Sequence, residues 1–383
     1  MPRRTLSEDC LLVFTAEWAG TGCVVKYPRT ERASASLARE WDRLRELAAD
    51  PRLAPWRALL PEAVGSRPSP PGRGARAGTA DGPTTGTADS PANGTTGTAD
   101  STAAGTTGTA DSTAAGAVAE TPDRPADGPE TGAADGPPGA PPRRRPLVQT
   151  LLPGVPAGPL LPERPQEVRR TTTAALGLLA ALRAATGRPE PAADHLSDWA
   201  HEQLDVLAAE LGRGRPEAGA GALDPLRRRL DRALAGTTLT RGWTHGDFHS
   251  GNLLLDEGRT RITGVFDWGN SRADGPAEID ACTFVLATRE ALGGPPMGRQ
   301  VAEVLRRGRL PSADRALLAA HGVGADGPGP GGGDDPVALP LLTWLWHVSG
   351  NLRKTPWFGR SRRWLGVTVT PVLREAARGP ETP

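Results

Sequence analysis

The chain has little net charge and no long apolar runs, and each of these shortages excludes a class of protein. The formal net charge of the 383 residues is +1, so overall charge indicates neither nucleic acid nor an anionic membrane as a partner. The apolar run 174–182, among the longest in the chain, is far too short to span a membrane. We therefore expect no nucleic acid and no membrane among the partners.

Cysteines are also scarce. Cys10, Cys23 and Cys282 have neither the spacing of metal ligands nor that of a disulfide framework. Glu8 and Asp9 follow the first arginines without a long apolar core, so no secretory signal is evident. Both observations favour a cytoplasmic protein that works in a reducing environment.

Large hydrophobic side chains are nearly absent between Ser66 and Arg145. Val118 is the one large aliphatic residue in this segment, which has no aromatic residue and carries an eleven-residue repeat starting at Thr84. Such a composition cannot bury enough apolar surface to offset the conformational entropy lost on ordering. We predict a disordered low-complexity insertion over 66–145. The remaining residues, about 300, suit one two-lobed domain.

What the chain does contain is a pair of short segments that together carry two aspartates and one asparagine at a defined spacing. Residues 245–252 read His-Gly-Asp-Phe-His-Ser-Gly-Asn, and residues 265–268 read Val-Phe-Asp-Trp. Protein kinases use His-Arg-Asp-x-x-x-x-Asn for the catalytic loop and Asp-Phe-Gly for the metal aspartate. Asp247 and Asn252 keep that separation, Gly246 replaces the arginine, and Asp267 stands where the metal aspartate would be.

The residues between the two segments predict a β-hairpin. Apolar runs flank a turn at Asp256-Glu257-Gly258, where glycine tolerates a positive φ. A hairpin brings Asp267 back beside Asn252, so that their oxygens can share one hard cation such as Mg²⁺. Asp247 would then lie at the entrance of the loop, free to accept a hydroxyl proton. Taken singly, each motif is equally compatible with an ordinary turn or strand end.

These motifs resemble those of the aminoglycoside phosphotransferase and choline kinase family of small-molecule kinases. The resemblance covers residues 10–65 and 146–383 and is densest at 244–283. It implies an α+β, protein-kinase-like fold with a small β-rich N-terminal lobe (1–152) and a larger, mostly helical C-terminal lobe (153–383). It also implies transfer of the γ-phosphate of ATP or GTP to a hydroxyl group, with Mg²⁺ as cofactor.

Lys26 ends a predicted β-hairpin in the N-terminal lobe, where kinase-like folds place the lysine that binds the nucleotide phosphates. Of 45 basic residues only Lys26 and Lys354 are lysine. A lysine retained in such an arginine-biased chain indicates a site that needs a compact charge, although a surface strand lysine remains the alternative. The next helix, predicted over 34–49, places Glu40 beside its apolar stripe. Glu40 is therefore the acid best placed to pair with Lys26.

Two further strands are predicted at 59–65 and 146–154. The resemblance makes them neighbours, so the low-complexity segment would interrupt a strand–strand connection, which loop-closure entropy tolerates. It also implies that backbone groups from Thr150 to Leu152 meet the nucleotide base.

The glycine-rich phosphate loop of kinases has no counterpart before Leu11. Three explanations stay open: the first strand and its loop are absent, the sequence starts too late, or the turn at 19–22 does part of that work. In the C-terminal lobe, helices are predicted at 163–185, 195–211, 223–234 and 340–353. The resemblance assigns Asp280 the role of holding the active-site loops by hydrogen bonds, and we expect His245 to brace them too.

On the last of these helices, Trp344, His347, Asn351 and Lys354 form a stripe beside the apolar face. The stripe is either a substrate surface or ordinary packing, and Trp357 and Trp364 are equally ambiguous. The acceptor cannot be identified from the sequence. Aminoglycosides, sugars, amino alcohols and related metabolites all fit, and the oligomeric state is open.

We expect a small-molecule kinase with Asp247 as catalytic base, Asn252 and Asp267 as Mg²⁺ ligands, and Lys26 with Glu40 at the phosphates. A non-catalytic nucleotide or metabolite sensor is the main alternative, favoured by the missing glycine loop. A protein kinase is less compatible, since no Ala-Pro-Glu segment follows Asp267.

Overall fold

The computed structural model describes residues 5–6, 11–18, 20–65, 144–158, 164–213, 216–324 and 335–378. The strands are β1 (Thr5–Leu6), β2 (Leu11–Trp18), β3 (Thr21–Pro28), β4 (Ala63–Val64), β5 (Leu147–Thr150), β6 (Val155–Pro156), β7 (Arg188–Pro191), β8 (Thr238–Thr244), β9 (Leu253–Leu255), β10 (Ile262–Val265) and β11 (Arg272–Pro276). The α-helices are α1 (Glu31–Ala49), α2 (Pro165–Thr186), α3 (Glu202–Leu211), α4 (Pro216–Leu234), α5 (Glu278–Ala291), α6 (Met297–Arg307), α7 (Ser312–Ala319), α8 (Ala338–Lys354), α9 (Pro356–Arg360), α10 (Arg362–Trp364) and α11 (Thr370–Arg378). The predicted α+β class, with a small β-rich N-terminal lobe and a larger helical C-terminal lobe, is confirmed.

The N-terminal lobe is one five-stranded antiparallel sheet in the order β1-β2-β3-β5-β4. Strands β2 and β3 pair along their whole length, from Leu11 opposite Pro28 to Trp18 opposite Thr21. The tight connection between them uses Gly20, whose φ of 77° favours glycine. The predicted hairpin that ends near Lys26 is therefore confirmed, although Ala19 in its turn lies outside the described residues.

The start of this sheet bears on the three open explanations for the missing glycine-rich loop. Thr5–Leu6 forms a short strand paired with β2, so the explanation in which a first strand is absent does not hold. The strand predicted at 59–65 was wrong in its bounds: only Ala63–Val64 forms a strand, and Leu59 ends a 3₁₀ helix that covers Pro51–Leu59. Pro61, inside the predicted strand, has no N–H group to donate to a strand ladder.

Helix α1 starts at Glu31, three residues before the predicted start, because Thr30 caps it. The hydroxyl of Thr30 accepts a hydrogen bond from the Ala33 N–H at 3.1 Å. The predicted apolar stripe is buried, with Leu37 and Leu44 each 1% exposed. Glu40, beside that stripe, is buried with it, and this burial positions its carboxylate toward the sheet.

The residues on either side of the predicted insertion form neighbouring strands. In β4 and β5, Ala63 pairs with Gln149 and Val64 with Val148, in antiparallel register. The described residues before and after the predicted insertion belong to one compact unit. The segment 66–143, where the sequence predicts disorder, lies outside the described residues.

The C-terminal lobe is built around α5 and α8, which pack against each other with most of their residues buried. Strands β7, β8 and β11 form a small sheet whose central strand, β8, leads directly into the predicted catalytic loop. Strands β9 and β10 form the predicted hairpin, with Leu253 opposite Val265, and β6 adds a third strand to it. The loop 245–252 thus lies between strands β8 and β9, and Asp267 lies between strands β10 and β11.

Several helix bounds differ from the prediction. The segment predicted as one helix over 195–211 is a 3₁₀ turn, then a π turn at Ser197–His201, then α3. Helix α4 begins at Pro216, before the predicted 223, and α2 covers Pro165–Thr186 rather than 163–185. Within the described residues, no helix is both long and apolar enough to cross a membrane.

Candidate active site

The predicted catalytic loop begins where β8 ends, and the Asp280 side chain holds its first turn. The two carboxylate oxygens of Asp280 accept hydrogen bonds from the N–H of His245 at 2.6 Å and of Gly246 at 2.9 Å. Burial raises the pKa of Asp280 to about 7, against the opposing effect of those two bonds. The loop-holding role that the resemblance implies for Asp280 agrees with these contacts.

Gly246 stands at the arginine position of the protein-kinase motif for a steric reason. Its φ is 76°, and a Cβ atom there would lie 2.6 Å from the backbone oxygen of Asn270. Any side chain at this position would therefore be strained and would collide with the segment that follows Asp267. The glycine lets the two motif segments approach each other closely.

His245 is fully buried and serves as a brace. Its Nε2 lies 2.9 Å from the Phe266 carbonyl oxygen, and its Nδ1 accepts a bond from the Asp247 N–H at 3.3 Å. Burial lowers the pKa of His245 to about 4, so the ring is neutral at pH 7 and Nε2 carries the proton. With both nitrogens engaged, the ring links the two motif segments, as expected.

The Asp247 carboxylate meets a cation that was not assigned to the site from the sequence. Lys354, the last residue of α8, donates from Nζ to Asp247 Oδ2 at 2.7 Å and to Asp267 Oδ2 at 3.0 Å. Burial opposes ionisation of Asp247, yet Lys354 and His249 outweigh burial and lower its pKa to about 2. The two carboxylates are therefore ionised, and the Lys354 ammonium lies between them. They raise the pKa of Lys354 well above its usual value despite burial.

Asp267 occupies a left-handed backbone conformation with φ 66° and ψ 57°, which is uncommon for a residue other than glycine. The turn is fixed from both sides. Before it, the Phe266 N–H donates to the Asn252 backbone oxygen at 3.1 Å; after it, the Ser271 N–H donates to the Trp268 oxygen at 3.0 Å. The strained turn directs the Asp267 carboxylate toward the lysines, and such strain clusters at functional sites.

Asn252 is 6% exposed and lies at the base of the hairpin. Its side-chain Nδ2 donates to the Asp247 backbone oxygen at 2.9 Å and lies 3.3 Å from His249 Nε2. With the amide nitrogen engaged in this way, the Oδ1 oxygen remains as a hard acceptor. The structure thus places both predicted metal ligands, Asn252 and Asp267, around the same loop.

The expected ion pair between Lys26 and Glu40 is present. Lys26 Nζ lies 2.6 Å from Glu40 Oε1, and both side chains are buried. Lys26 Nζ is also 3.9 Å from Asp267 Oδ1. Burial acts to lower the pKa of Lys26, but the two carboxylates outweigh it and raise the pKa. Lys26 therefore remains charged.

A cleft opens beside Lys26, with an empty volume of about 980 Å³ that includes space open to solvent. Its walls are apolar, formed by Val13 and Val24 of the sheet on one side and by Leu254 and Phe266 of the hairpin on the other. Lys26 and Asp267 also line it. An apolar slot with charged groups at one place suits a flat ring that carries a phosphate chain.

Thr150 and Leu152, expected at the nucleotide base, both line this cleft. The Thr150 N–H donates to the Glu62 oxygen at 2.9 Å, and the Leu151 N–H donates to the Gly22 oxygen at 2.9 Å. The Thr150 hydroxyl accepts from the Glu62 N–H. Thr150 is thus engaged within the sheet, and the Leu152 peptide is the better candidate for a contact with the base.

The stripe on α8 divides into two parts. Trp344 is 0% exposed and its Nε1 donates to the Thr368 oxygen at 2.7 Å, so this residue is packed and does not form a substrate surface. Lys354, at the end of the same stripe, is the residue that contacts the predicted catalytic loop. The scarcity of lysine was the signal that could have assigned it to the site.

Among the described residues, no group of three or more His, Cys, Asp or Glu side chains is arranged to hold a metal ion. The predicted site consists instead of one carboxylate and one amide oxygen. Both are hard oxygen donors of the kind that Mg²⁺ prefers, with the remaining positions left to substrate phosphates and water. The position of the Lys354 ammonium shows that this spot attracts positive charge. The residues present therefore fit Mg²⁺.

The structure contains a buried lysine–glutamate pair, and the loop after β8 and the turn after β10 carry the aspartates and the asparagine that the sequence predicts for a kinase-like phosphotransferase site. The model of the phosphotransferase enzyme family (APH) matches residues 134–319, just under half of the chain. The resemblance predicted from the sequence is thereby confirmed. The matched range contains Asp247, Asn252, Asp267 and Asp280; Lys26 and Lys354 lie outside it.

No curated protein sequence matches this chain. Several solved structures do match it. A putative aminoglycoside phosphotransferase from Ralstonia eutropha JMP134 is 12% identical, with 100% of this chain and 93% of that chain covered and a TM-score of 0.47. Macrolide 2'-phosphotransferase MphH from Brachybacterium faecium is 16% identical, with 100% and 94% covered and a TM-score of 0.42. Aminoglycoside phosphotransferase APH(3'')-Id from Streptomyces rimosus is 15% identical, with 90% and 92% covered and a TM-score of 0.41. Similarity at this level gives no information about the substrate.

Proposed function

We propose that the protein transfers the γ-phosphate of ATP or GTP to a hydroxyl group of a small molecule. The observation that carries the proposal is the contact set around Asp267. Lys26 approaches it from the N-terminal lobe, and Lys354 joins it to Asp247 from the C-terminal lobe. Charges from both lobes thus meet at the end of an apolar cleft, where a nucleotide's phosphates would lie.

In this proposal the nucleotide base occupies the cleft between the sheet and the Leu254–Phe266 hairpin, with the Leu152 peptide at its edge. Lys26, fixed by Glu40, neutralises the phosphate chain. The Asp247 carboxylate accepts the hydrogen bond of the acceptor hydroxyl and orients its oxygen toward the phosphorus. With a pKa of about 2, Asp247 is a weak base, so its contribution is mainly placement.

Mg²⁺, held by Asn252 Oδ1 and Asp267, would neutralise the charge of the phosphates. Lys354 shares both carboxylates, so binding of Mg²⁺ and nucleotide requires its ammonium to yield the Asp267 contact. We propose that it keeps the contact with Asp247, where its charge faces the transferring phosphoryl group.

A nucleotide sensor without catalysis is the second candidate. The observation in its favour is the connection between β1 and β2, Ser7-Glu8-Asp9-Cys10, which contains no glycine. A phosphate loop normally relies on glycine so that its backbone N–H groups can approach phosphate oxygens. The complete set of catalytic-loop residues favours the enzyme.

Nucleotide turnover with a panel of acceptors tests the proposal. The protein is incubated with ATP or GTP and Mg²⁺ together with aminoglycosides, sugars, choline and amino alcohols, and release of the nucleoside diphosphate is measured. Acceptor-dependent release that disappears in Asp247→Asn supports the phosphotransferase. Tight nucleotide binding without release for any acceptor supports the sensor, and absence of nucleotide binding contradicts both.

A further inference from the structure

A second cleft, separate from the one beside Lys26, is lined in part by α1 and is rich in arginine. Its empty volume is about 750 Å³, and its lining includes Arg39 and Arg43 of α1, Arg272 of β11 and Arg353 of α8. Glu202 is the one carboxylate among its described lining residues. The two clefts have no lining residue in common. This cleft therefore carries a local excess of positive charge in a protein whose formal net charge is only +1.

Both oxygens of this carboxylate, on Glu202, are already paired with arginines of the cleft. Glu202 Oε2 lies 2.8 Å from Arg272, and Glu202 Oε1 lies 3.1 Å from Arg353. Arg43 pairs outside the cleft lining, with Glu46 at 2.5 Å. Arg39 has no carboxylate within ion-pair distance among the residues that the structure describes. Arg39 is solvent-exposed, and partial desolvation together with the nearby charge of Arg32 lowers its pKa.

An independent observation comes from Ser271, which also lines the cleft. The residue is 2% exposed, and its hydroxyl oxygen has no hydrogen-bond partner among the residues that the structure describes. A buried hydroxyl without a partner is costly, so a native structure that retains one calls for an explanation. A ligand oxygen in the cleft would supply the missing partner.

The cleft also reaches the catalytic loop. Gly246, which lines it, is the chain neighbour of Asp247, and Arg353 precedes Lys354. A ligand held at Arg39 and Ser271 would thus lie beside the loop that carries Asp247. Arg-lined pockets with hydroxyl donors recognise phosphate and carboxylate groups, because charge-assisted bonds to these anions are short and strong.

We propose that the acceptor is anionic and that this arginine cleft holds its phosphate or carboxylate group while Asp247 receives its hydroxyl. The inference rests on the proposed phosphotransferase function, because it names the class of substrate at the same site. It favours sugar phosphates and sugar or hydroxy acids over cationic acceptors, whose ammonium groups the arginines would repel.

Binding of inorganic phosphate is the first test, since it requires no turnover. Calorimetric titration of the wild type is compared with Arg39→Gln, Ser271→Ala and, as a matched control, Arg45→Gln, an exposed arginine of the same helix outside the cleft. Arg39→Gln should weaken phosphate binding at least about tenfold, the loss of one charge-assisted hydrogen bond. Ser271→Ala should weaken it less, without loss of folding stability, and Arg45→Gln should leave it unchanged. Absence of phosphate binding in the wild type, or equal binding in all variants, overturns the proposal.

Turnover with matched acceptors is the second test. Each sugar is compared with its phosphate and its acid form, and we expect kcat/KM to be higher for the anionic forms. Arg39→Gln should raise KM for these acceptors and leave KM for the nucleotide unchanged. Turnover of neutral or cationic acceptors alone, with the same KM in Arg39→Gln, overturns the anionic acceptor but leaves the phosphotransferase intact. Phosphate binding at Arg39 without any turnover contradicts the phosphotransferase but supports the anion site.

Discussion

Replacing Lys354 with methionine removes the ammonium group that lies between the Asp247 and Asp267 carboxylates. The side chains of Lys354 and Asp247 are 13% and 11% exposed, and that of Asp267 is 29% exposed, so the cluster is largely shielded from solvent. At contacts of 2.7 and 3.0 Å each attraction is worth about 5–6 kcal/mol at an effective dielectric constant of about 20, before desolvation is subtracted. Loss of one partner from a buried pair costs about 3–5 kcal/mol, because an unpaired charge remains. The partial exposure of Asp267 favours the lower end, about 3 kcal/mol.

Urea unfolding followed by circular dichroism, without nucleotide or divalent cation, measures this loss. With an m value of about 3 kcal/mol/M for a domain of this size, Lys354→Met should lower the urea midpoint by about 1 M. Lys354→Arg keeps the charge and should recover part of the difference. Mg²⁺ with nucleotide brings positive charge to Asp267 and should therefore stabilise Lys354→Met more than the wild type. A methionine variant with the wild-type midpoint would refute the reasoning, because it would show that the two carboxylates need no ammonium between them.

The remaining predictions concern catalysis, the insertion and pH. Asp247→Asn should lower kcat about 100-fold or more in steady-state kinetics and change nucleotide binding little. Asp267→Asn should also weaken Mg²⁺-dependent nucleotide binding, measured by titration. If both variants changed kcat and nucleotide affinity by the same factors, these separate roles would be contradicted. Replacing 66–145 by a short Gly/Ser turn should leave turnover unchanged. It should also stabilise the protein by at most about 2–3 kcal/mol, because closing the shorter loop between β4 and β5 costs less entropy. Loss of soluble protein would show that the segment is structural. Because the pKa of Asp280 rises from 3.8 to about 7 on folding, the folded state binds the extra proton and stability falls as pH rises between these values. Asp280→Asn cannot titrate, so its cost in urea unfolding should be smaller at pH 8 than at pH 5, and an equal cost would count against the shift.

The parts of the site that the sequence predicted are those fixed by local spacing. The hairpin between Asn252 and Asp267 follows from a turn signal flanked by apolar runs, and β9 and β10 pair as expected. The Glu40 contact with Lys26 follows from helical periodicity, because the buried stripe sets the direction in which α1 presents its acids. In both cases a short range of sequence determines the geometry.

The parts that were missed depend on contacts between distant residues. Lys354 is 107 residues from Asp247 in sequence, and only the packing of α8 against the rest of the C-terminal lobe brings its last residue to the loop. The N–H and hydroxyl of Thr150, a residue assigned to the nucleotide, are engaged by Glu62 through the pairing of β5; Thr150 lines the cleft, and its assignment to the nucleotide stays a prediction. The role of Trp344, substrate surface or packing, was left open because a helical stripe does not reveal which side of the helix packs against another element. The positions of these side chains are determined by tertiary packing, which periodicity in the sequence does not reveal.

The two lysines of this chain have similar surroundings. Both lie at Asp267: Lys26 Nζ is 3.9 Å from Oδ1, and Lys354 Nζ is 3.0 Å from Oδ2. Each also contacts a second carboxylate, Glu40 for the first and Asp247 for the second. A compact ammonium can lie between two carboxylates at such distances, whereas a planar guanidinium needs a wider, flatter gap. All the other basic residues of the chain are arginines. Lysine is kept at the two positions from which the Asp267 carboxylate is approached, one in each lobe. In the proposed function, this is where the charge of the transferred phosphate would need to be balanced.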